Sequence, residues 1–147
     1  MRKSFLSTVM LLLLAFNYVS GQDLKINALE YFETQGVNVL AYSNIFNGGF
    51  NDEKNAGIEL IHHGVRTAQG GAVRLSNTPE QWDLVPAISN RKVDRASNTI
   101  EADLRYADYN FASRVVVSAK GKSVEISVYL DQAVPKTLEG KAGFNLE

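Results

Sequence analysis

The stretch TIEADLRY, from Thr99 to Tyr106, places an apolar residue at every second position and a polar residue between them. Side chains on a β-strand point alternately to its two faces, so this pattern predicts a strand with one buried and one solvated face. Ser123–Leu130 repeats the pattern, with Val124, Ile126 and Val128 among its inward residues. Both segments are typical of antiparallel strands that cover a core on one side.

A hairpin is predicted beside these segments. Arg114–Lys120 contains three consecutive valines, and the short turn Lys120-Gly121-Lys122 joins it to the strand that begins at Ser123. The sequence predicts five more strands, none with helical spacing: Val37–Ser43, Gly57–His62, Arg66–Gln69, Ala72–Leu75 and Ala142–Leu146.

Reversals between strands are marked by Asn, Gly, Ser and Pro, which accept the backbone conformations of turns. The predicted reversals are Asn47-Gly48-Gly49, Asn51-Asp52, Gly70-Gly71, Ser76-Asn77-Thr78-Pro79 and Asn90 near Lys92. Several short strands separated by turns about every eight to twelve residues are typical of an all-β sandwich. Residues 22–147 are therefore predicted to form one antiparallel β-sandwich domain without linkers or repeats.

The amino-terminal segment has the pattern of a secretory signal peptide. Two cations precede an apolar run at Phe5–Phe16, and small residues at Val19 and Gly21 suit a cleavage site, which predicts a signal peptide over residues 1–21. The alternative is a membrane anchor, but the run of about a dozen residues is shorter than the roughly 20 that span a bilayer. Together with the absence of cysteine, this pattern predicts a secreted or periplasmic bacterial protein with no membrane span in its mature chain.

Composition and charge exclude several classes of partner and chemistry. The 147 residues contain 15 Lys and Arg, 16 Asp and Glu, and no Cys. Without a basic surplus, nucleic acid is not an expected partner. Without cysteine there are no disulfides, thiol nucleophiles or thiolate metal sites. Cleavage after residue 21 removes two cations and leaves 13 against 16 carboxylates, a net charge of −3.

The carboxyl-terminal residues Gly140–Glu147 begin an alternating strand and then stop. A terminus is more often a solvated tail, or an element tied down along its full length. We therefore expect the sequence to be the front of a longer polypeptide. The alternative is a terminal strand that completes a sheet close to its edge.

No catalytic, cofactor-binding or metal-binding residue is predicted. His62 and His63 are adjacent, and neighbouring side chains on a strand point to opposite faces, so we expect one inward and one solvated histidine. Gly48-Gly49 and Gly70-Gly71 lack the spacing of phosphate-binding loops. The nucleophile motif G-x-S-x-G is also absent from the sequence.

Carboxylates deserve separate consideration because glycosidases use a pair of them. Glu101 and Asp103 share one face of the predicted strand, about 7 Å apart along it. Because that face is solvated, we expect a surface pair rather than a catalytic one. The remaining carboxylates considered are scattered over turns and polar faces: Asp52, Glu53, Glu59, Asp108, Glu125 and Asp131.

Aromatic side chains suggest a second function, because exposed rings can stack on sugars. The candidates are Tyr42, Phe46, Phe50, Trp82, Tyr106, Tyr109 and Phe111. Tyr106 continues the inward register of its strand, and Trp82 follows a predicted reversal. Packing in the core is therefore the favoured interpretation of these rings, and sugar contact is the alternative.

Several short segments in a consistent order resemble a known family. They are Gly36-Val37-Asn38-Val39-Leu40, Asn44-Ile45-Phe46, Gly64-Val65-Arg66-Thr67-Ala68, Gly71-Ala72-Val73-Arg74-Leu75, Thr78-Pro79-Glu80-Gln81-Trp82 and Gly140-Lys141-Ala142-Gly143-Phe144-Asn145-Leu146-Glu147. Together they resemble the amino-terminal β-sandwich region of secreted family 9, cellulase-like glycoside hydrolases of Bacteroidetes. The resemblance implies an immunoglobulin-like sandwich that packs against a downstream (α/α)₆ barrel. In that family the barrel holds the catalytic acid and base; none of those motifs occurs here, so no catalytic residue is carried over.

Three functions remain open from the sequence. The leading one is the non-catalytic sandwich portion of a glycoside hydrolase that acts on β-glucans, with its downstream catalytic domain as partner and no activity by itself. The second is a secreted carbohydrate-binding module that holds polysaccharide without cleaving it. The third is a secreted interaction domain.

Overall fold

The computed structural model of the chain describes residues 21–43, 57–75 and 84–147. These residues form ten strands and one short 3-10 helix at Ala107–Tyr109. The strands are β1 (Lys25–Ile26), β2 (Phe32–Thr34), β3 (Val37–Ala41), β4 (Ile58–His62), β5 (Val65–Leu75), β6 (Ala87–Asp94), β7 (Thr99–Tyr106), β8 (Phe111–Lys120), β9 (Ser123–Tyr129) and β10 (Ala142–Leu146).

The strands form two antiparallel sheets. In the first, β1 to β5 follow one another in space, and β10 pairs with β5 to complete the six-stranded order β1-β2-β3-β4-β5-β10. The second is the four-stranded sheet β6-β7-β8-β9, in which every strand pairs with its neighbour in sequence. The chain therefore crosses from the first sheet to the second after β5 and returns after β9.

One hydrophobic core lies between the sheets and draws on both. The six-stranded sheet contributes Phe32, Val39 and Ile58, among others, while the four-stranded sheet contributes Ile100, Leu104, Tyr106, Val115 and Val117. Leu138, from the segment between β9 and β10, is also buried in this core. The inward residues of β7 are those that its alternating sequence predicts, and the prediction of an all-β antiparallel sandwich is confirmed.

Several strand boundaries agree closely with the sequence pattern. β7 and β10 have the predicted bounds, β9 ends one residue earlier than predicted, and β8 begins three residues earlier. The tight turn at Gly121 and Lys122 joins β8 to β9 as expected. β1 and β2, which have two and three residues, were not predicted because they are too short to show a period.

The predicted reversal at Gly70-Gly71 is wrong. Both glycines lie inside β5, a single strand of 11 residues that replaces the two strands predicted there. Their φ angles are 153° and 98°. A side chain on Gly70 would meet the backbone oxygen of Asn145, and a β-carbon on Gly71 would lie 2.9 Å from the backbone nitrogen of Ile58. The pair therefore permits an irregularity inside a sheet rather than a turn.

Two tyrosines complete the hydrogen bonding of β5 where it extends past β4. The pairing with β4 reaches only as far as Gly70. Beyond it, the Tyr42 hydroxyl donates to the Gly71 carbonyl at 2.7 Å, and the Val73 N–H donates to the Tyr106 hydroxyl at 3.0 Å. The N–H of Leu84 donates to the Val73 carbonyl at 2.8 Å. Tyr42 and Tyr106 thus act as hydrogen-bonding partners of the β5 backbone as well as core residues.

The predicted reversal at Asn90 is also wrong. Asn90 lies inside β6, a strand that was not predicted, and has a φ of 49°. The register with β7 shifts between Ser89 and Lys92, which identifies a β-bulge. Asn accepts positive φ both in turns and in bulges, so its presence marks an irregularity without saying which kind.

Arg91, inside this bulge, connects the two sheets. Its guanidinium donates to the Ala41 carbonyl at 3.0 Å, to the Glu30 carboxylate at 2.9 Å and to the Glu30 backbone oxygen at 2.7 Å. Glu30 itself has a φ of 65° in the connection between β1 and β2. The bulge therefore directs a cation from an edge strand of one sheet onto the backbone of the other.

Several predictions lie outside the described residues. They are the signal peptide apart from Gly21, and the reversals at 47–49, 51–52 and 76–79. Among the residues that are described, no helix has the length and apolar character needed to cross a membrane.

Candidate functional site

The outer face of the four-stranded sheet is the candidate binding surface, here called the polar face. The register of β6 to β9 places the following side chains on it: Ala87, Ser89, Lys92, Asp94, Thr99, Glu101, Asp103, Arg105, Ala112, Arg114, Val116, Ser118, Lys120, Ser123, Glu125, Ser127 and Tyr129. These residues alternate along each strand with those that enter the core. The face is therefore a direct product of the two-residue period that predicted the strands.

One row across the polar face brings together Ser89, Asp103, Arg114 and Tyr129. The Arg114 Nε donates to the Asp103 carboxylate at 3.1 Å, and the Asn90 side-chain amide donates to the same carboxylate at 2.9 Å. These hydrogen bonds, with Asn90 the larger contributor, hold the pKa of Asp103 below its ordinary value. Asp103 therefore remains a carboxylate at neutral and mildly acidic pH.

The neighbouring row contains Glu101, whose carboxylate lies 3.1 Å from the ammonium group of Lys92. The two acidic residues of β7 are thus each paired with a cation on an open face, as a solvated surface pair would be. A catalytic acid needs a raised pKa, whereas the pKa of Asp103 is lowered. The two residues therefore agree with the expected surface pair rather than with a catalytic one.

Of the other carboxylates considered, Glu125 lies on the polar face opposite Ser118, and Asp131, after Asp103, helps to raise the pKa of Arg114. Glu59 is buried on β4 with its carboxylate 3.8 Å from the guanidinium of Arg66. Asp108, Glu125 and Asp131 are exposed. Asp52 and Glu53 lie outside the described residues. No group of three or more His, Asp or Glu side chains that could hold a metal ion occurs within residues 21–43, 57–75 and 84–147.

The aromatic candidates divide into core residues and undescribed ones. Tyr42, Tyr106 and Phe111 are buried, and Tyr109 packs against the core while partly exposed. The ring of Tyr106 stacks on that of Phe111 with centroids 5.8 Å apart. These positions agree with core packing as the favoured interpretation. Phe46, Phe50 and Trp82 lie outside the described residues.

Tyr129 is the aromatic residue that the sequence analysis missed. It ends β9 on the polar face, directly opposite Arg114, with 54% of its surface exposed. The signal was present in the sequence, because Tyr129 continues the outward register of Ser123, Glu125 and Ser127. An exposed ring beside an Asp–Arg pair offers a ligand both a stacking surface and hydrogen-bonding groups.

The two histidines differ from expectation. His62 ends β4 and His63 enters the turn before β5 with a φ of 49°. Both are exposed, and their ring centroids lie 4.4 Å apart. The prediction of one inward and one solvated histidine was wrong because the strand ends between them, so the alternation rule does not apply to His63.

A second apolar cluster lies on the outer face of the six-stranded sheet. It consists of Tyr31, Leu40 and Ile61, each almost fully buried, with Leu29 packed against it. Leu40 follows Val39, which faces the core, so consecutive residues of β3 are buried on opposite faces. The centre of this sheet therefore differs from the four-stranded sheet, whose outer face is polar.

Comparison of the chain with protein-family models, with curated proteins and with solved structures finds no match.

Proposed function

We propose that the chain is the non-catalytic β-sandwich portion of an exported, polysaccharide-degrading glycoside hydrolase and supports a downstream catalytic barrel of the same protein. The acid of such an enzyme must hold a proton until it meets the glycosidic oxygen. Asp103 and Glu101 are instead paired with Arg114 and Lys92 on an open face. This pairing argues against a catalytic role for the two carboxylates and fits the proposed supporting role.

The positions of the family-like segments support this proposal. Gly36–Leu40 includes most of β3, Gly71–Leu75 ends β5, and Gly140–Glu147 includes β10. Within the described residues, all the segments that carry the resemblance belong to the six-stranded sheet or its turns. This clustering favours the six-stranded sheet as the layer that supports the barrel. The polar face on the opposite side would then remain free.

Hydrolysis assays test the supporting role. Release of reducing sugar from soluble β-glucans is measured for the purified chain and for a polypeptide extended by the coding sequence that follows it in the genome. We expect no release by the chain alone and release by the extended protein. The double variant Glu101→Gln, Asp103→Asn of the extended protein should retain the full rate. Turnover by the chain alone, or loss of turnover in the double variant, would contradict the proposal.

The exposure of Tyr129 favours polysaccharide binding on the polar face as a second candidate function. Affinity electrophoresis in gels containing β-glucans tests it, because binding retards the protein. We expect retardation of the unsubstituted chain and its loss in Tyr129→Ala. Val65→Ala is the matched control, since Val65 is similarly exposed, at 64%, but lies on the β4–β5 hairpin. An unretarded chain, or equal retardation of both variants, would exclude this binding site.

A further inference from the structure

β9 is an edge strand whose protection against pairing is limited to one charged residue, Glu125. It closes the four-stranded sheet, and its outer edge makes no backbone hydrogen bond to any other described residue. Edge strands of natural proteins are commonly interrupted by bulges, lysines or proline, which discourage pairing with another chain. β9 has none of these: its register with β8 is unbroken from Ser123 to Tyr129, and its only charged residue is Glu125.

The other three edges of the sandwich differ from β9. β6, at the opposite edge of the same sheet, has the bulge at Asn90 and exposes Lys92 and Asp94. β1 has only two residues, and the register of β10 is broken between Asn145 and Leu146. β9 is thus the longest uninterrupted edge in the described part of the chain.

The end of β9 is also unusually apolar for an exposed segment. Val128, Tyr129 and Leu130 are consecutive and expose 39%, 54% and 48% of their surfaces. Of these, Val128 lies within β9 and can add an apolar contact to the backbone groups of the strand that have no partner among the described residues. The combination is suited to strand addition, in which a second strand extends the sheet.

We propose that β9 pairs antiparallel with β9 of a second copy of this chain, about a twofold axis at Ile126. This register places Val124 opposite Val128 of the other copy and Ile126 opposite its counterpart, so inward apolar residues meet each other. Glu125 then lies opposite Ser127, and no like charges meet. A twofold axis at Glu125 would instead bring two carboxylates together.

The twofold symmetry makes the interface self-complementary, as closed dimers require. All seven residues of β9 find a partner when the axis is at Ile126, whereas an axis at Ser127 leaves Ser123 and Val124 unpaired within the strand. The two four-stranded sheets would join as one continuous sheet, and their polar faces would lie on the same side. The proposal is independent of the supporting role and of polysaccharide binding.

Two substitutions at one exposed-face position test both the dimer and its register. The dimer contains two symmetry-related pairs of residue 127 with Glu125 of the other copy. Ser127→Glu places a carboxylate in each pair, and Ser127→Lys places an ammonium group there. A cross-strand charge pair changes pairing by about 0.2–1 kcal/mol, so two symmetric copies should shift the dimer dissociation constant by roughly two- to thirtyfold. Sedimentation velocity over a concentration series should show weaker association for Ser127→Glu and tighter association for Ser127→Lys.

Backbone hydrogen exchange supplies a second measurement on the unsubstituted chain. Amides of β9 that face the free edge should exchange more slowly as the protein concentration rises, while those of β6 should not change. Circular dichroism and thermal unfolding of dilute protein establish that both variants fold. A chain that stays monomeric at all concentrations, equal dissociation constants for the two variants, or shifts in the opposite order would each overturn the proposal.

Discussion

Removing the hydroxyl of Tyr106 should destabilise the fold without changing its packing. Tyr106→Phe keeps the ring that stacks on Phe111, and it deletes the oxygen that accepts the hydrogen bond of the Val73 N–H at 3.0 Å. Val73 is almost fully buried, and this side of β5 is beyond the end of β4. The N–H would therefore lose its partner in a place with little access to water.

The expected loss follows from the cost of an unsatisfied buried donor. That cost is about 1–3 kcal/mol, since the group gives up water in the folded state and gains nothing in return. The two side chains have nearly the same volume, so no large cavity adds to it. For a domain of this size the loss corresponds to a fall of about 3–12 °C in the unfolding temperature.

Urea unfolding followed by tyrosine fluorescence and circular dichroism measures this difference. Tyr129→Phe is the matched control, because its hydroxyl is removed from an exposed side chain and should change stability by less than about 0.5 kcal/mol. If Tyr106→Phe were as stable as Tyr129→Phe, the hydrogen bond to Val73 would not contribute to stability. The reasoning that β5 depends on tyrosine for its backbone pairing would then fail.

Tyr42 provides an independent test of the same hydrogen-bonding region at alkaline pH. Burial, followed by the proximity of Tyr106, raises the pKa of Tyr42 well above its ordinary value. The pKa of Tyr42 is thus higher in the folded chain than in the unfolded chain. The fold therefore keeps its full stability below the ordinary tyrosine pKa of about 10 and loses stability as the pH rises above it. Stability should therefore fall by up to about 1.4 kcal/mol more per pH unit in the unsubstituted chain than in Tyr42→Phe. Equal slopes would show that the pKa of Tyr42 is the same in the folded and in the unfolded chain.

Three further outcomes are expected. Gly71→Ala should lower the free energy of unfolding by about 1–3 kcal/mol, because Gly71 has a positive φ and a close backbone neighbour. Gly143→Ala should change it little, because the space around Gly143 is open. Urea unfolding of the two variants measures the difference. Arg91→Lys should cost about 1–3 kcal/mol because ammonium cannot replace a three-way guanidinium contact, while Arg95→Lys, on an exposed side chain, should be nearly neutral in the same assay. An NMR titration should give Asp103 a pKa below the ordinary carboxyl value, so that its contribution to stability is present above that value and lost as the pH falls; an ordinary pKa would contradict the pairing.

The strands predicted best are those buried on one face only. β7 and β9 alternate because one side of the four-stranded sheet meets the core and the other meets water. The need to bury one face acts on every second residue and therefore produces an alternation of apolar and polar residues in the local sequence. β3 is less regular, since Val39, Leu40 and Ala41 are all buried, and its centre is covered on both faces.

The two wrong reversals share one physical cause. Gly71 and Asn90 both adopt positive φ, which is a local property that their residue types reveal. Whether such a residue turns the chain or bulges a strand depends on what lies beside it. For Gly71 the deciding neighbours are Ile58 and Tyr42, which are distant in sequence. Local composition contains no information on these contacts.

The polar face was only partly predictable from the sequence. Its acidic pair was identified on the solvated side of β7, but the partners of that pair come from β6 and β8. Arg114 reaches Asp103 through strand pairing, which the predicted hairpin alone does not specify. Tyr129 could have been placed from the same alternation that identified β9, since it lies an even number of residues from Ser123, Glu125 and Ser127.

The difference between the two sheets bears on where a ligand or partner can bind. The outer side of the six-stranded sheet buries Tyr31, Leu40 and Ile61, whereas the outer side of the four-stranded sheet is formed by charged and hydroxyl side chains. These three side chains are already removed from water, so a barrel supported by this sheet would contact it at other positions. The polar face and the edge of β9 are exposed, and Tyr129 belongs to both. A sugar that stacks on Tyr129 and a second copy that pairs along β9 would therefore compete only if the strand pairing also covered the ring. Sugar retardation of the unsubstituted chain over a series of protein concentrations would distinguish competition from independence, because only competition weakens as the dimer dissociates.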